Sequence, residues 1–341
     1  MFDNFFIANK SIAGIFWAVL TVFIVPFLIK QPKQWLLIIL LGIVVLSTYM
    51  LLLSDSRGGW FACSATLTYI IYRNAGIKKK KKWIALTTSL LFLFLLALFF
   101  YKTDSSLGRK HIYSISINMF RDNWATGIGP GKFKTLFNEY QADYFSQNDI
   151  DSKRALLADN TFYAFNDYLQ LGIETGLPGL VLLALILSFL VRRTRLLQNE
   201  YKNNRIIIAA ASGMICIATA SLFSYPMQVW QIQLPALVFT GIIIFFPFKN
   251  DKLSFISKTV IASVRGLYLV IAGFFVFTTV LVVKRKIMEK DTFKLAMAGY
   301  KSKAIERYRK LSNYYPVNGH NSFLLAQQLY YSNRLDDALP I

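Results

Sequence analysis

The stretch WLLIILLGIVVLSTYMLLL, from Trp35 to Leu53, is apolar at almost every position and carries no charge. A helix of about 20 apolar residues is long enough to cross the hydrocarbon core of a bilayer. Working outward from this stretch, we find similar runs along much of the chain. They predict eight membrane spans, at residues 11–29, 35–53, 59–73, 83–101, 177–191, 206–225, 230–248 and 264–284. Repeated runs of this length predict an all-α, polytopic membrane protein, because helices satisfy their own backbone groups inside lipid.

The composition agrees with this fold class. Of the 341 residues 55% are hydrophobic and 16% are charged, and the mean hydropathy is +0.43. A soluble domain would carry nearer a quarter of charged residues. The third span is the weakest of the eight, since it is short and includes Trp60, Cys63 and Thr66.

The net charge of +20 would suggest nucleic acid in a soluble protein, but its placement predicts no such partner. The basic residues concentrate in alternate loops: Lys30 and Lys33; Arg73 and Lys78 to Lys82; Arg192, Arg193, Arg195, Lys202 and Arg205; Lys249, Lys252, Lys258 and Arg265. Basic residues beside membrane spans stay in the cytoplasm. These loops are therefore predicted to be cytoplasmic, and the N-terminus, the long insert and the C-terminal tail lie on the opposite side. The run Lys78–Lys82 also suits an anionic lipid surface.

The chain divides into three predicted parts. Residues 1–284 form the membrane domain, residues 102–176 form a large loop within it, and residues 285–341 form a helical tail. Long loops usually hold a functional site. In the tail, Ala304, Tyr308 and Pro316 fit the spacing of a tetratricopeptide repeat, whose period is about 34 residues. We expect a repeat array that is truncated in this sequence and binds a periplasmic protein; two unrelated amphipathic helices are the alternative.

Two polar segments are candidates for an anion site. The first is Ser56-Arg57-Gly58-Gly59, whose arginine either extends along the bilayer surface or binds a phosphate. Its glycines would let a head group approach the backbone. The second is RKHIYSISINMFRDNW, from Arg109 to Trp124, which predicts an interfacial amphipathic helix with its apolar face toward lipid and its basic face toward head groups. A purely structural role as a lid is the alternative for this helix.

Two further polar segments follow. Gly127 to Phe133 reads GIGPGKF, which usually indicates a turn but next to a basic helix predicts N–H groups that bind an anion. Asp159 to Gly176 reads DNTFYAFNDYLQLGIETG and predicts a helix. On that helix one face would collect Asn160, Tyr163, Asn166, Asp167, Gln170 and Glu174. A polar face at the mouth of a membrane domain indicates a functional site, with a solvated outer face as the alternative.

No metal, cofactor or disulfide is predicted. His111 and His320 are far apart in sequence, and Cys63 and Cys216 both fall inside predicted spans. The loop carboxylates Asp143, Asp149 and Asp151 match no metal-ligand spacing.

Taken together, SRGG, the GIGPGKF block and NDYLQLGIETGLPG resemble the bacterial O-antigen ligase and polymerase superfamily over roughly residues 30–250. Appended tetratricopeptide repeats also look like versions of this family. The resemblance implies a protein of the bacterial inner membrane in lipopolysaccharide and cell-envelope biosynthesis. It implies transfer of a glycan from undecaprenyl pyrophosphate to an acceptor hydroxyl, on lipid A-core in ligases. Members often carry a histidine just before the Asn of the last block, where this chain has Phe165.

The resemblance and the polar segments suggest roles for individual residues. For the pyrophosphate we predict Arg57 and Arg109, with Arg121 or Lys132 as additions, since cations at the developing charge promote its departure. Asp167 and Glu174 are the candidate bases, and His111 is a more distant one. Sugar hydroxyls are assigned to Tyr163, Asn166 and Gln170, and the polyprenyl tail to the apolar spans.

Several functions stay open from the sequence. An O-antigen polymerase or a protein O-glycan ligase would share these features. A catalytically inactive membrane scaffold that presents the repeats is suggested by Phe165. A transporter is disfavoured, because the two halves of the membrane domain show no internal symmetry.

Overall fold

The computed structural model describes residues 9–29, 33–74, 103–147, 161–202, 204–248, 255–314, 319–334 and 337. The predicted span 83–101, the Lys78–Lys82 run and the candidate residue Asn160 lie outside these ranges, as do Asp149, Asp151 and Pro316.

The described regular structure is helical. The helices are α1 (Lys10–Leu28), α2 (Gln34–Leu53), α3 (Arg57–Asn74), α4 (Thr103–Asn123), α5 (Phe133–Gln147), α6 (Asp167–Glu200), α7 (Arg205–Ala220), a short 3-10 helix (Pro226–Gln228), α8 (Trp230–Phe245), α9 (Phe255–Met297), α10 (Lys301–Tyr314) and α11 (Gly319–Tyr331).

Four of the described helices are long and apolar enough to cross a membrane: α1, α2, α6 and α9. Two shorter helices, α7 and α8, are also apolar. Helix α3 covers the third predicted span but, with Arg57, Arg73 and several small polar residues, does not have the same apolar character. These helices confirm the all-α, polytopic membrane fold class.

Helices α1, α2, α3 and α7 pack together, and small residues let them approach closely. A Cβ atom on Gly14 would overlap Ser54 Oγ and Ser56 Cβ, and one on Gly59 would lie 3.0 Å from the Gly14 carbonyl oxygen. Ser56 is buried and donates to Ser11 O at 2.7 Å. Close helix packing through small residues is typical of membrane bundles. Gly59 therefore serves contact between helices, and the expected approach of a head group to its backbone is wrong.

Helix α6 starts later than predicted and is broken inside. Residues 161–166 are not helical, so the predicted helix start at Asp159 is wrong, and of the described residues on the predicted polar face only Asp167, Gln170 and Glu174 lie on α6. Asn166 is the N-cap, with Oδ1 accepting from Tyr168 N and Leu169 N at 3.0 Å each. Further along, Gly176 has φ +64°, and Pro178 follows it, so the helix kinks there.

The described contacts divide the chain into two compact units, residues 1–261 and residues 262–341. In the second unit α10 and α11 pack into a hairpin around Ala304, Tyr308 and Leu329, all nearly inaccessible to solvent. The predicted domain boundary between residues 284 and 285 falls inside α9. The tetratricopeptide character of the tail stays a prediction.

Candidate functional site

Helices α4 and α5 pack on the first turns of α6. Ile115 and Met119 from α4, Phe133 and Phe137 from α5 and Ile173 from α6 form one buried apolar cluster. The apolar face of α4 is therefore covered by protein, and the expectation that it faces lipid is wrong. Burying a large side chain of this kind contributes roughly 1.5–3 kcal/mol. The cluster therefore holds α4 and α5 on α6.

Two glycines hold the GIGPGKF loop against the kink in α6. Gly127 and Gly176 have φ of +73° and +64°. A Cβ atom on Gly127 would lie 2.5 Å from the Glu174 carbonyl, and one on Gly176 would lie 2.7 Å from the Ala125 carbonyl oxygen. Their backbones thus meet directly, which explains why both sequence motifs need glycine at these positions.

The N–H groups of this loop are used within the protein. Ile128 N donates to Ile173 O and Gly129 N to Glu174 O, both at 2.9 Å, and Gly131 N donates to Glu174 Oε2 at 2.9 Å. The first two N–H groups satisfy the carbonyls of Ile173 and Glu174, which the kink frees, and the third satisfies the Glu174 carboxylate. The predicted anion site at this loop is therefore wrong.

Arg57 and Arg109 lie near each other, although they are 52 positions apart in the chain. Arg57 opens α3 and Arg109 lies in the first half of α4, and both are half-buried. Burial lowers the pKa of Arg109, and the charge of Arg57 lowers it further, against the opposing effects of Tyr113 and Tyr225. Among the described residues whose charges shift the pKa of Arg109, none is a carboxylate. Two guanidinium groups placed together in this way have the chemistry to bind a polyanion.

Aromatic residues hold Arg109 in place. Its Nη1 donates to Phe223 O at 3.0 Å, and its guanidinium carbon lies 5.2 Å from the centre of the Phe165 ring. The Phe165 ring meets Tyr225 edge to face at 5.2 Å, and Tyr225 stacks on Tyr163 at 4.1 Å. We call Arg57, Arg109, Tyr163, Phe165 and Tyr225 the arginine–aromatic cluster.

Two hydrogen bonds connect this cluster to helices α1 and α4. Asn9, the N-cap of α1, donates to the Tyr225 hydroxyl at 2.7 Å. Tyr113 donates to Phe165 O at 3.0 Å, and burial raises the pKa of Tyr113.

Phe165 has φ +52°, an uncommon conformation for a residue other than glycine. Strain of this kind persists only where surrounding contacts impose it, and it is frequent at functional sites.

Asp167 connects α6 to the segment that carries Tyr225. Its Oδ2 accepts from Met227 N at 2.9 Å, and its own N–H donates to Ser221 O at 2.9 Å. Only 8% of Asp167 is exposed. Arg109 donates to the Phe223 carbonyl, which belongs to the same segment, residues 221–227. Asp167 therefore lies at the same end of the bundle as Arg109.

The other polar residues predicted on α6 make local contacts. Gln170 accepts from Ala164 N at 3.2 Å and donates to Glu174 Oε1 at 3.2 Å. Glu174 thus accepts at both oxygens, the second from Gly131. Asn166 uses its side-chain oxygen as the α6 cap. The structure therefore gives Asn166, Gln170 and Glu174 roles in holding the loop and α6 together.

His111 lies on another face of α4 from Arg109. It is buried, with its ring 5.3 Å from Tyr144 and 5.2 Å from Phe145, and its Nε2 lies 3.3 Å from Gln141 Nε2. These contacts place it within the α4–α5 interface, which suits a core residue better than a base.

Arg121 and Lys132 are distant from Arg109. A rise of 1.5 Å per residue puts Arg121 about 18 Å further along α4. Lys132 follows the loop beyond the end of that helix and is exposed. One pyrophosphate cannot bridge such a distance, so the structure brings together Arg57 and Arg109 but not Arg121 or Lys132.

Sequence reasoning did not find Tyr225, Tyr113 or Asn9. Tyr225 was included in a predicted span, although α7 ends at Ala220. The following Pro226 was a usable signal, since proline ends a helix and the residue before it takes an extended conformation. Asn9 and Tyr113 left no comparable signal in the sequence.

Residues 42–184 match the family model of the O-antigen ligases. This match supports placing the chain in the O-antigen ligase superfamily. The O-antigen ligase segment includes Arg57, Arg109, the GIGPGKF loop and Asp167, whereas Tyr225 lies outside it. It identifies the chain in general terms as a glycan-transferring membrane enzyme. No curated protein and no solved structure matched the chain.

Proposed function

We propose that this protein transfers a glycan from undecaprenyl pyrophosphate to an acceptor hydroxyl, on lipid A-core. The observation that carries the proposal is the pairing of Arg57 with Arg109 inside the O-antigen ligase segment. The polyprenyl chain would lie against apolar helices, which matches a site at one end of a membrane bundle. The partners at this site are therefore a lipid-linked glycan and a glycan acceptor. For the predicted repeat tail, the proposed partner is a periplasmic protein.

The chemistry requires little covalent help from the protein. The acceptor oxygen attacks the anomeric carbon of the donor sugar, the bond from that carbon to the phosphate oxygen breaks, and undecaprenyl pyrophosphate leaves with the bonding electrons. Arg57 and Arg109 bind the pyrophosphate and neutralise the charge that develops on it. Removing one preorganised donor of this kind typically slows a reaction about 100-fold or more.

The acceptor proton needs a base, and among the three candidates we propose Asp167. Asp167 and Arg109 bind the same segment, residues 221–227. Asp167 contacts Met227 and Ser221, and Arg109 donates to the Phe223 carbonyl. Glu174 is held by Gly131 and Gln170 at the kink. Tyr163, half-buried and stacked on Tyr225, is the proposed sugar-binding residue, since aromatic rings pack well against the apolar faces of sugars.

Asp167→Asn and Glu174→Gln form a matched test of this base. Each amide keeps an oxygen that accepts a hydrogen bond but loses the carboxylate. With purified protein, lipid-linked donor and acceptor, we expect Asp167→Asn to slow transfer about 100-fold or more and Glu174→Gln to stay within a few-fold. His111→Gln should behave like Glu174→Gln. A large loss in Glu174→Gln or His111→Gln, with Asp167→Asn active, would reverse the assignment.

A non-catalytic scaffold is the second candidate, and one observation favours it. Asp167 and Glu174 both accept hydrogen bonds from backbone N–H groups, as structural carboxylates do. The two functions differ in the wild-type protein, since a scaffold shows no transfer in the purified assay. If transfer occurs, the product separates ligase from polymerase: glycan on lipid A-core for a ligase, and longer lipid-linked chains for a polymerase.

The proposed orientation follows from the charged loops. The arginine–aromatic cluster lies at the end of α6 where that helix begins, and the arginines from 192 to 205 lie toward its other end. With the basic end in the cytoplasm, the cluster faces the periplasm of a bacterial inner membrane.

A further inference from the structure

A cavity of about 280 Å³ lies between α3, α6, α7 and α8, far from the arginine–aromatic cluster. Leu187, at its wall, comes 20 residues after Asp167, which is about 30 Å along α6. The cavity is lined mainly by apolar side chains, including Leu190, Met214 and Ile215, and Arg195 lies at its edge.

A second cavity adjoins it on the outer face of α6. Its volume is about 500 Å³, and it is lined by Ser188, Val191, Arg192, Arg195 and Leu196. Val191 and Arg195 line both cavities. Two apolar spaces therefore meet at one guanidinium group.

The neighbouring arginines have different environments. Arg193 is buried and donates to the carbonyls of Ile243, Ile244 and Phe246 at 2.7, 2.8 and 3.0 Å, which closes the end of α8. Arg192 and Arg195 are exposed, and neither makes a hydrogen bond or ion pair with any residue that the structure describes. Their charges are therefore available to a ligand.

The polar end of the first cavity is closed by side chains that already bind each other. Gln198 donates to the Tyr69 hydroxyl at 2.7 Å, and Arg73 donates to Gln198 O at 3.0 Å. A ligand in this cavity thus meets apolar walls, a polar end where Gln198 and Tyr69 bind each other, and the exposed Arg195 at the edge.

We propose that this place binds a diacyl anionic phospholipid, with its phosphate on Arg195 and Arg192 and one acyl chain in each cavity. The two apolar spaces that share one cationic edge match a molecule with two chains and one phosphate. Arginine suits phosphate because its planar fork donates two parallel hydrogen bonds. Basic pockets between membrane helices are known to hold anionic head groups by the same physical chemistry. The proposal is independent of glycan transfer.

Native mass spectrometry of the purified full chain tests this directly, with phosphatidylglycerol and phosphatidylcholine of identical acyl chains as probes. We expect the wild type to retain phosphatidylglycerol more strongly than phosphatidylcholine. Arg195→Gln should lower phosphatidylglycerol retention about fivefold, whereas Arg205→Gln, which removes a charge that lines neither cavity, should leave it unchanged. Leu187→Trp, which fills the first cavity, should lower it as well.

Three results would overturn the proposal: equal retention of both lipids, equal effects of Arg195→Gln and Arg205→Gln, or full retention in Leu187→Trp. Soluble glycerol phosphate in excess should not displace the lipid, because it has no chains for the two cavities. Displacement by it would show an ordinary phosphate site instead.

Discussion

For single residues, glycine has the same use in the two conspicuous motifs, which is to let two backbones approach closely. Gly59 lets α3 approach α1, and Gly127 lets the loop approach the kink at Gly176. The sequence shows that both motifs contain glycine, and such motifs resemble anion sites. It does not show which backbones meet, because the partner residue lies about 50 positions away in the chain. Only tertiary packing decides between a ligand site and a close backbone contact.

The Gly127–Gly176 contact predicts a specific order of stability. Gly127→Ala and Gly176→Ala add a Cβ atom against a carbonyl and also strain a positive φ, which together cost about 3 kcal/mol. Gly131 has φ +73° but no atom within 4 Å of an added Cβ, so Gly131→Ala carries the strain alone, about 1 kcal/mol. Thermal unfolding in detergent should show this difference. Similar shifts for all three variants would argue that the backbones do not touch.

At the scale of elements, α6 connects the two ends of the bundle. Its first residue, Asp167, binds the segment before α8, and Arg193 near its other end binds the last carbonyls of α8. The apolar run predicted the position of this helix, since its composition dictates burial in lipid. The run did not predict the start at Asp167, because Asn166 as a cap and the left-handed Phe165 depend on contacts with Tyr113 and Tyr225.

Arg193 should be essential for the packing of α6 on α8. Arg193→Lys keeps the charge but loses the fork that reaches three carbonyls, and we expect it to cost about 2–3 kcal/mol of stability. The neighbouring Arg192→Lys is the control and should leave thermal unfolding unchanged, since Arg192 is exposed. If the two variants unfold at the same temperature, Arg193 does not hold these helices together.

At the scale of the whole molecule, the sequence predicted the fold class because hydrophobicity must match the solvent over long stretches. It placed α1, α2 and α8 within a few residues of their observed bounds. The candidate site was predictable only in part. Arg57 and Arg109 were named in advance, whereas Arg121 and Lys132 were added from charge alone, and sequence gives no distance between them. Tyr225 was missed because hydropathy does not distinguish a span from the turn that follows it.

The orientation of the molecule is testable by cysteine labelling. Lys134 on α5 and Lys202 after α6 are both exposed, and the native Cys63 and Cys216 are buried, so background labelling should be low. A membrane-impermeant maleimide should label Lys134→Cys in intact spheroplasts and Lys202→Cys only after lysis. The reverse pattern would place the arginine–aromatic cluster on the cytoplasmic side and contradict the proposed location.

The roles of Arg57 and Arg109 are tested by the rate of glycan transfer by Arg57→Gln, Arg109→Gln and Arg121→Gln, each purified and compared with the wild type. We expect a loss of about 100-fold or more for Arg57→Gln and for Arg109→Gln, because each removes a cation from the departing pyrophosphate. Arg121→Gln, about 18 Å along the same helix, should stay within a few-fold of the wild type. Near-normal transfer by Arg109→Gln, or an equal loss in Arg121→Gln, would contradict these roles.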